Sequence, residues 1–259
     1  MIKEIHIFGT SFSAGGGFHW LTPQDKKELD KFYTEEPKTQ QHYSWPGQMR
    51  KHFDSNVKII NHAKCGYGNE RIYRLAYDII MGSNINDKIF IFEFSSLFRK
   101  EIWSNEHNKF LICNYKFDKN KNVEVSDVKY DYNHPSDFTT DYRKVKTLMQ
   151  RYLNETFNDI VYLDKVDRNL TFFVDFLFER GVNFKILEHF GWEYNGRRNL
   201  KKHMIKLYDK ETGLWEWIER NNLTIWSETN GYIKDGHPSL EASKLIAKIV
   251  SQNIKEKMI

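Results

Sequence analysis

A serine hydroxyl becomes an effective nucleophile only when a neighbouring base takes its proton and nearby N–H groups receive the oxyanion that forms. Two short stretches near opposite ends of this chain hold the residue types for that chemistry. The first is Gly9-Thr10-Ser11-Phe12-Ser13, followed by Ala14 and the run Gly15-Gly16-Gly17. Ser11 is the candidate nucleophile, and its own backbone N–H is a candidate oxyanion donor. The second is Lys234-Asp235-Gly236-His237-Pro238-Ser239. His237 is the candidate general base, held by the stiff backbone at Pro238. Asp235 is the acid that would fix its tautomer and stabilise the imidazolium. A third stretch, Asn61-His62-Ala63-Lys64-Cys65-Gly66-Tyr67-Gly68-Asn69, offers a backbone N–H at Gly66 and a side-chain amide at Asn69. Each stretch also has a plain structural reading. The serine loop is then a capped strand-to-helix turn, Asn69 an N-cap, and His237 a structural histidine.

These stretches need elements to hold them. Residues 2–8 read as a first strand that delivers the serine loop. Residues 57–63 read as a second strand, with Gly66, Gly68 and Asn69 in the turn after it. A helix is expected over 70–81, with Ile72, Leu75, Ala76, Ile79 and Ile80 on one face. Residues 88–95 carry a nearly continuous apolar run, which suits a strand buried on both faces of a parallel sheet. Residues 182–189 read as a fourth strand and 223–226 as a short fifth. Ser239 opens a C-terminal helix to about residue 257. Ser44-Trp45-Pro46 opens a helix through about His52, with Ser44 as its cap. Residues 141–180 read as one or two helices, and a short helix is expected near residues 23–32. Two stretches break the alternation, about 99–142 and about 191–222, and both read as insertions. The first holds a candidate hairpin, 110–115 with 123–128, across the turn Lys119-Asn120-Lys121-Asn122. Alternating strands and helices imply a parallel sheet whose functional residues gather at the C-terminal strand ends.

The 259 residues are expected to form one α/β domain. Charged residues make up 29% and hydrophobic residues 40%, as in ordinary globular proteins. The net charge of +4 is spread among interleaved acids and bases, which argues against a nucleic-acid partner. The cluster Arg197, Arg198, Lys201 and Lys202 reads as a solvated helix face. Two cysteines, Cys65 and Cys113, make neither a disulfide framework nor a zinc motif. His62, His134, His189 and His203 lack metal-ligand spacing. The start of the chain has no signal-peptide core, and no apolar run reaches membrane-spanning length. Synthesis in a cytoplasm and no membrane partner are the expectations, with virion association or self-association left open.

The three stretches, in this order, resemble the blocks of the SGNH (GDSL-like) hydrolase family. Gly9-Thr10-Ser11-Phe12-Ser13 is similar to its serine block, Asn61 through Gly66 to its second block, and Asp235 with His237 to its last. The resemblance covers residues 2–98 and 223–257. It implies a flavodoxin-like three-layer α/β/α sandwich, an α/β fold with a parallel sheet of about five strands. It also implies ester hydrolysis through a serine acyl-enzyme, with no cofactor and no metal. Three positions depart from the family pattern. Thr10 stands where the family carries Asp. The family's third block carries an Asn, whereas this chain reads Glu93-Phe94-Ser95-Ser96-Leu97-Phe98-Arg99. Ser95, Ser96 or Asn69 would then have to replace the missing oxyanion donor. Finally, the acid lies two residues before the histidine, and Lys234 occupies the usual place three before. The string Gly-Tyr-Gly-Asn-Glu-Arg-Ile, with the serine block, further resembles SGNH-like proteins of tailed bacteriophages.

The expected activity is a serine esterase acting on small acyl esters, with O-acetyl groups on carbohydrate as the favoured substrate. Trp192, Trp215, Trp217 and Trp226 are candidates for a sugar-stacking wall or for the core. Two alternatives stand beside it. One is a weakly active or non-catalytic phage structural or glycan-binding protein on the same fold. The other is an O-acyltransferase using the same Ser–His pair. Arg99 and Glu101 read as a structural ion pair.

Overall fold

The computed structural model describes residues 2–17, 40–95, 99–104, 109–117, 123–130, 142–156, 159–187, 198–205, 207 and 213–256. Four apolar stretches pair in parallel as their sequences predict. Strand β1 (Glu4–Phe8) lies between β2 (Lys58–Asn61) and β3 (Lys88–Glu93), with Ile7 beside both Asn61 and Ile91. Strand β7 (Phe184–Leu187) extends the sheet beyond β3, and β8 (Met204–Ile205) forms its far edge. The order is β2-β1-β3-β7-β8, so the chain reverses direction across the sheet on either side of β1. Functional side chains are expected in the crevice beyond such a reversal.

Helices cover both faces, because alternate strand residues point to opposite sides. Ile5, Ile7, Ile89, Ile91 and Leu187 form one face. On it pack α3 (Trp45–Met49) through Trp45 and Met49, α7 (Leu214–Arg220) through Leu214 and Trp217, and α9 (Leu240–Lys255) through Ile246 and Val250. Phe8, Phe90, Phe92, Phe184 and Ile186 form the other face. There α4 (Asn69–Met81) packs through Ile72, Ala76 and Ile80, and α6 (Asp159–Glu179) through Leu170, Phe173, Val174 and Leu177. The short α1 (Ser11–Ala14) adds Phe12 to the first of these faces, and α2 (Gln40–Tyr43) buries Tyr43 against Ile225, Ile233 and Leu240. No helix among the described residues is long and apolar enough to cross a membrane.

Several expectations need correction. Residues 223–226 are not a sheet strand. Thr224 bridges Pro238 in antiparallel fashion, and Ile225–Glu228 turns into the short helix α8. The fifth strand of the sheet is β8, which falls inside the stretch read as a second insertion. That stretch also supplies α7 to the core, so it is not an appendage. Residues 141–180 form two helices, α5 (Tyr142–Thr156) and α6. The hairpin expected after residue 99 is there and longer. Strands β4 (Arg99–Ser104), β5 (Lys109–Phe117) and β6 (Val123–Tyr130) make a separate antiparallel sheet. Helix α5 joins it through the Val125 N–H, which donates to Gln150 Oε1 at 2.7 Å. The Lys119–Asn122 turn and the helix expected near 23–32 lie outside the described residues.

Candidate functional site

Strand β1 ends where the serine loop must turn away from the sheet. Thr10 adopts an extended backbone and caps α1, its Oγ1 accepting from the Phe12 N–H. Ser11 is the first helical residue and is largely buried. Among the described residues nothing accepts from its backbone N–H, and its hydroxyl has no hydrogen-bond partner. Gly15 closes the helix with φ at 81°, and Gly17 follows at 84°. Both angles lie in the left-handed region that glycine enters without penalty.

The glycine run is the seat of the histidine. A Cβ built on Gly16 would lie 2.7 Å from His237 Nε2 and also 2.7 Å from Ser11 Cβ. Ser11 Cβ and the ring nitrogen are therefore within twice that distance of each other. A Cβ on Gly17 would lie 2.8 Å from Asp235 Oδ1 and 3.0 Å from His237 Cβ. Side chains at these two positions would push the serine and histidine loops apart. From sequence the run reads only as a flexible, small-residue loop after the first strand. Its three consecutive glycines beside a candidate nucleophile were the signal of a close approach.

His237 is fixed by its own loop. Nδ1 donates to Asp235 Oδ1 at 2.8 Å, and the His237 backbone N–H donates to the same oxygen at 2.7 Å. An acid two residues before the histidine therefore reaches the ring. Burial raises the Asp235 carboxyl, but the hydrogen bond and charge of His237 and its backbone N–H hold it below the ordinary value. With Nδ1 protonated, Nε2 is the nitrogen left to accept a proton on the Ser11 side. Two backbone bonds, Ile225 N–H to His237 O and Trp226 N–H to Asp235 O, both 2.9 Å, clamp this loop to the start of α8. The misassigned strand at 223–226 thus serves as a brace for the histidine. Ser239 then caps α9, its Oγ accepting from the Ala242 N–H at 3.1 Å. The Phe12 ring meets the His237 ring edge-on at 5.5 Å and stacks on Trp215 at 5.5 Å.

Beneath the serine loop lies Glu93, wholly buried at the end of β3. The Thr10 hydroxyl and the Ser13 hydroxyl both donate to it, one to each oxygen. The Thr10 N–H and Trp45 Nε1 add longer bonds of 3.4 Å each. All four are donors, which matches the acceptor-only oxygens of a carboxylate. Gly9 permits this fit, since a Cβ there would lie 2.6 Å from Ser13 Oγ and 3.1 Å from Glu93 Cβ. Glu93 was not among the expected site residues. A single acid inside the run Ile-Phe-Ile-Phe-Glu-Phe was the available signal, because a buried carboxyl needs dedicated partners.

The third loop is tied to the first. Asn61 Nδ2 donates to Ser13 O at 2.7 Å, and its Oδ1 accepts from the Ala63 N–H at 3.0 Å. Gly66 has φ of 83° in this loop. Asn69 is not the N-cap of α4; Gly68 is. The Asn69 side chain instead clasps the backbone of Ser95. Its Nδ2 donates to Ser95 O at 3.1 Å, and its Oδ1 accepts from Ser95 N–H at 2.6 Å. The Ser95 hydroxyl is buried and has no partner among the described residues. Ser96 lies outside the described residues, as does Trp192. Of the remaining tryptophans, Trp217 is core, Trp215 borders Phe12, and Trp226 is half exposed. Arg99 and Glu101 do not pair. Glu101 pairs with Arg74 at 3.3 Å, and Arg99 Nη1 donates to Tyr67 O at 3.3 Å. Among the described residues no three His, Cys, Asp or Glu side chains gather as a metal site.

The sheet and its helices define an α/β protein with a Ser–His–Asp grouping at the strand ends. No protein-family model, curated protein or solved structure matches the chain.

Proposed function

We propose that this chain is a serine esterase of the SGNH type, with a flavodoxin-like three-layer sandwich as its framework. The observation that carries the reading is the shared seat at Gly16, where an added Cβ would lie 2.7 Å from both Ser11 Cβ and His237 Nε2, with Asp235 bound to the far side of the same ring. Catalytic contacts of this kind often tighten only when substrate arrives, so the open Ser11 hydroxyl is compatible with the pair. Ser11 Oγ attacks the ester carbonyl while His237 Nε2 takes its proton. The imidazolium, steadied by Asp235, then gives that proton to the leaving alcohol. Water, activated by the same histidine, hydrolyses the acyl-enzyme. The Ser11 N–H, which has no acceptor among the described residues, receives the oxyanion, together with the N–H of Gly66. Trp215 and Trp226 are suited to stack on a sugar ring, which favours O-acetylated carbohydrate as the substrate.

A second reading has its own observation. Asn69, one candidate for the oxyanion donor missing from the third block, is held by the Ser95 backbone. A hole short of one donor loses roughly a hundred-fold or more in rate. That supports a weakly active or non-catalytic glycan-binding protein, with a phage structural role as its setting. Incubation with 4-nitrophenyl acetate and with a fluorophosphonate probe separates the two. The esterase reading expects turnover, probe labelling at Ser11, and a loss of roughly ten-thousand-fold or more in Ser11→Ala. Absence of both turnover and labelling rejects it. Turnover that survives Ser11→Ala rejects the nucleophile.

A further inference from the structure

Three guanidinium groups among the described residues pair with carboxylates, while that of Arg50 donates to the backbone oxygen of Ile59. Arg74 pairs with Glu101, Arg168 with Asp164, and Arg198 with both Asp175 and Glu179. Arg99 and Arg71 differ. Arg99 is partly buried, and its one hydrogen bond among the described residues is from Nη1 to the backbone oxygen of Tyr67. Arg71 is buried, donates from Nη1 to His62 O at 3.1 Å, and lies 4.4 Å from the centre of the Tyr67 ring. Neither makes an ion pair with a carboxylate among the described residues. Both brace the loop that carries Gly66, and Lys64 Nζ stands 5.6 Å from the centre of the same ring. Gly68 allows the approach, since a Cβ there would lie 2.9 Å from Arg99 O.

This loop is beside the serine loop, to which Asn61 ties it. Arg99 also senses Glu93, the acid that holds Thr10 and Ser13 on either side of Ser11. A guanidinium cannot shed its charge to escape burial. Burial lowers its pKa, with only partial relief from Cys65 and Glu93. A planar fork whose other donors are unused among the described residues is suited to recognise a carboxylate or phosphate.

We propose that Arg99, supported by Arg71, forms an anion subsite beside Ser11, so that the preferred ester carries an acidic group near the reacting carbonyl. This rests on the esterase reading and narrows its substrate class to acidic acyl esters or esters of acidic sugars. The test compares 4-nitrophenyl hydrogen succinate with its methyl ester, which has the same leaving group and no charge. It also measures inhibition of 4-nitrophenyl acetate turnover by methyl hydrogen succinate, glucuronate and sulfate, which separates an acidic acyl group from an acidic alcohol and from a bare anion. Expected are a higher kcat/KM for the charged ester, or competitive inhibition by one of the anions. Arg99→Gln should diminish that preference or inhibition about ten-fold or more, and Arg99→Lys should restore part of it. Equal handling of the two esters, with no inhibition, overturns the subsite. So does an Arg99→Gln variant that loses charged and neutral turnover by the same factor, which would make Arg99 a countercharge for Glu93. If no ester is turned over and Ser11 is not labelled, the esterase reading fails, and the subsite is then read by thermal shift. In that case a rise in Tm with succinate, glucuronate or sulfate, absent in Arg99→Gln, supports it, and no rise rejects it.

Discussion

At the scale of single residues, the site depends on what is missing at Gly16. Its neighbours Gly15 and Gly17 have positive φ, which by itself calls for glycine. Gly16 is a glycine because two catalytic candidates share the space its side chain would fill. Gly16→Ala therefore separates packing from chemistry. The added methyl must push on the His237 ring or on Ser11. Overpacking of this kind costs about 1–3 kcal/mol, so the variant should fold with a modestly lower Tm. Its rate of Ser11 labelling should fall by about a hundred-fold, since a displacement of an ångström in a catalytic pair has that effect. Calorimetry and probe kinetics on the same preparation check both parts. Undiminished labelling would mean that the two loops do not meet at Gly16. That Ser11, His237 and Asp235 come together was legible in the sequence, because residue types and chain order carried the grouping. The glycine seat was not, because a close approach between positions 16 and 237 leaves no local trace.

At the scale of elements, the most legible parts were the long periodic or continuous apolar runs: β1, β3, α4 and α9 sit within a few residues of where their patterns put them. The least legible were short segments whose state depends on distant partners. Residues 223–226 have strand-like composition but spend their hydrogen bonds on the histidine loop, and β8 is an edge strand of only two residues. Glu93 belongs to the same class, since its partners come from 48, 80 and 83 residues away. It links β3 to both ends of the serine loop, and the two donors from that loop flank Ser11. Glu93→Gln replaces one acceptor oxygen with a donor that faces donors. Stability should fall on the order of 1–3 kcal/mol. The Ser11 labelling rate should also fall, at temperatures well below the new Tm. Thr10→Ser keeps the hydroxyl that caps α1 and donates to Glu93, so it should retain labelling, whereas Thr10→Val should not. Equal labelling of Thr10→Ser and Thr10→Val would reject Glu93 as a positioning residue and leave it a buried strut.

For the whole molecule, the sheet is uniform in fold but not in charge. Its apolar faces were legible in nearly continuous apolar runs, yet β1 and the end of β2 place a polar chain across the Phe-lined face. His6 Nε2 donates to Glu4 Oε2 at 3.1 Å, Lys88 pairs with the same oxygen at 2.8 Å, and His6 Nδ1 meets His62 Nε2 at 3.0 Å. The imidazoles stack with Phe8 and Phe90. With His6 donating to Glu4, its Nδ1 accepts from a neutral His62. Protonating both rings would set two donors against each other. Burial, then the charges of His6 and Arg71, lower His62 to about 4. Burial lowers His6 too, with Glu4 opposing and Lys88 adding to it. Between about pH 6.5 and 4 the unfolded chain therefore binds more protons than the folded one. Folding stability must decline as pH falls through that window. Glu4, lowered to about 2 by its bonds to Lys88 and His6, extends the decline from about pH 4.5 downward. Denaturant unfolding at a series of pH values should show this loss, on the order of 1–2 kcal/mol from His62 once its partial exposure is allowed for. His62→Gln keeps an N–H donor for His6 Nδ1 but cannot be protonated in this range. Its stability should fall less steeply between pH 6.5 and 4. The same slope in the variant and the parent would show that the histidine pair does not drive the acid sensitivity of the fold.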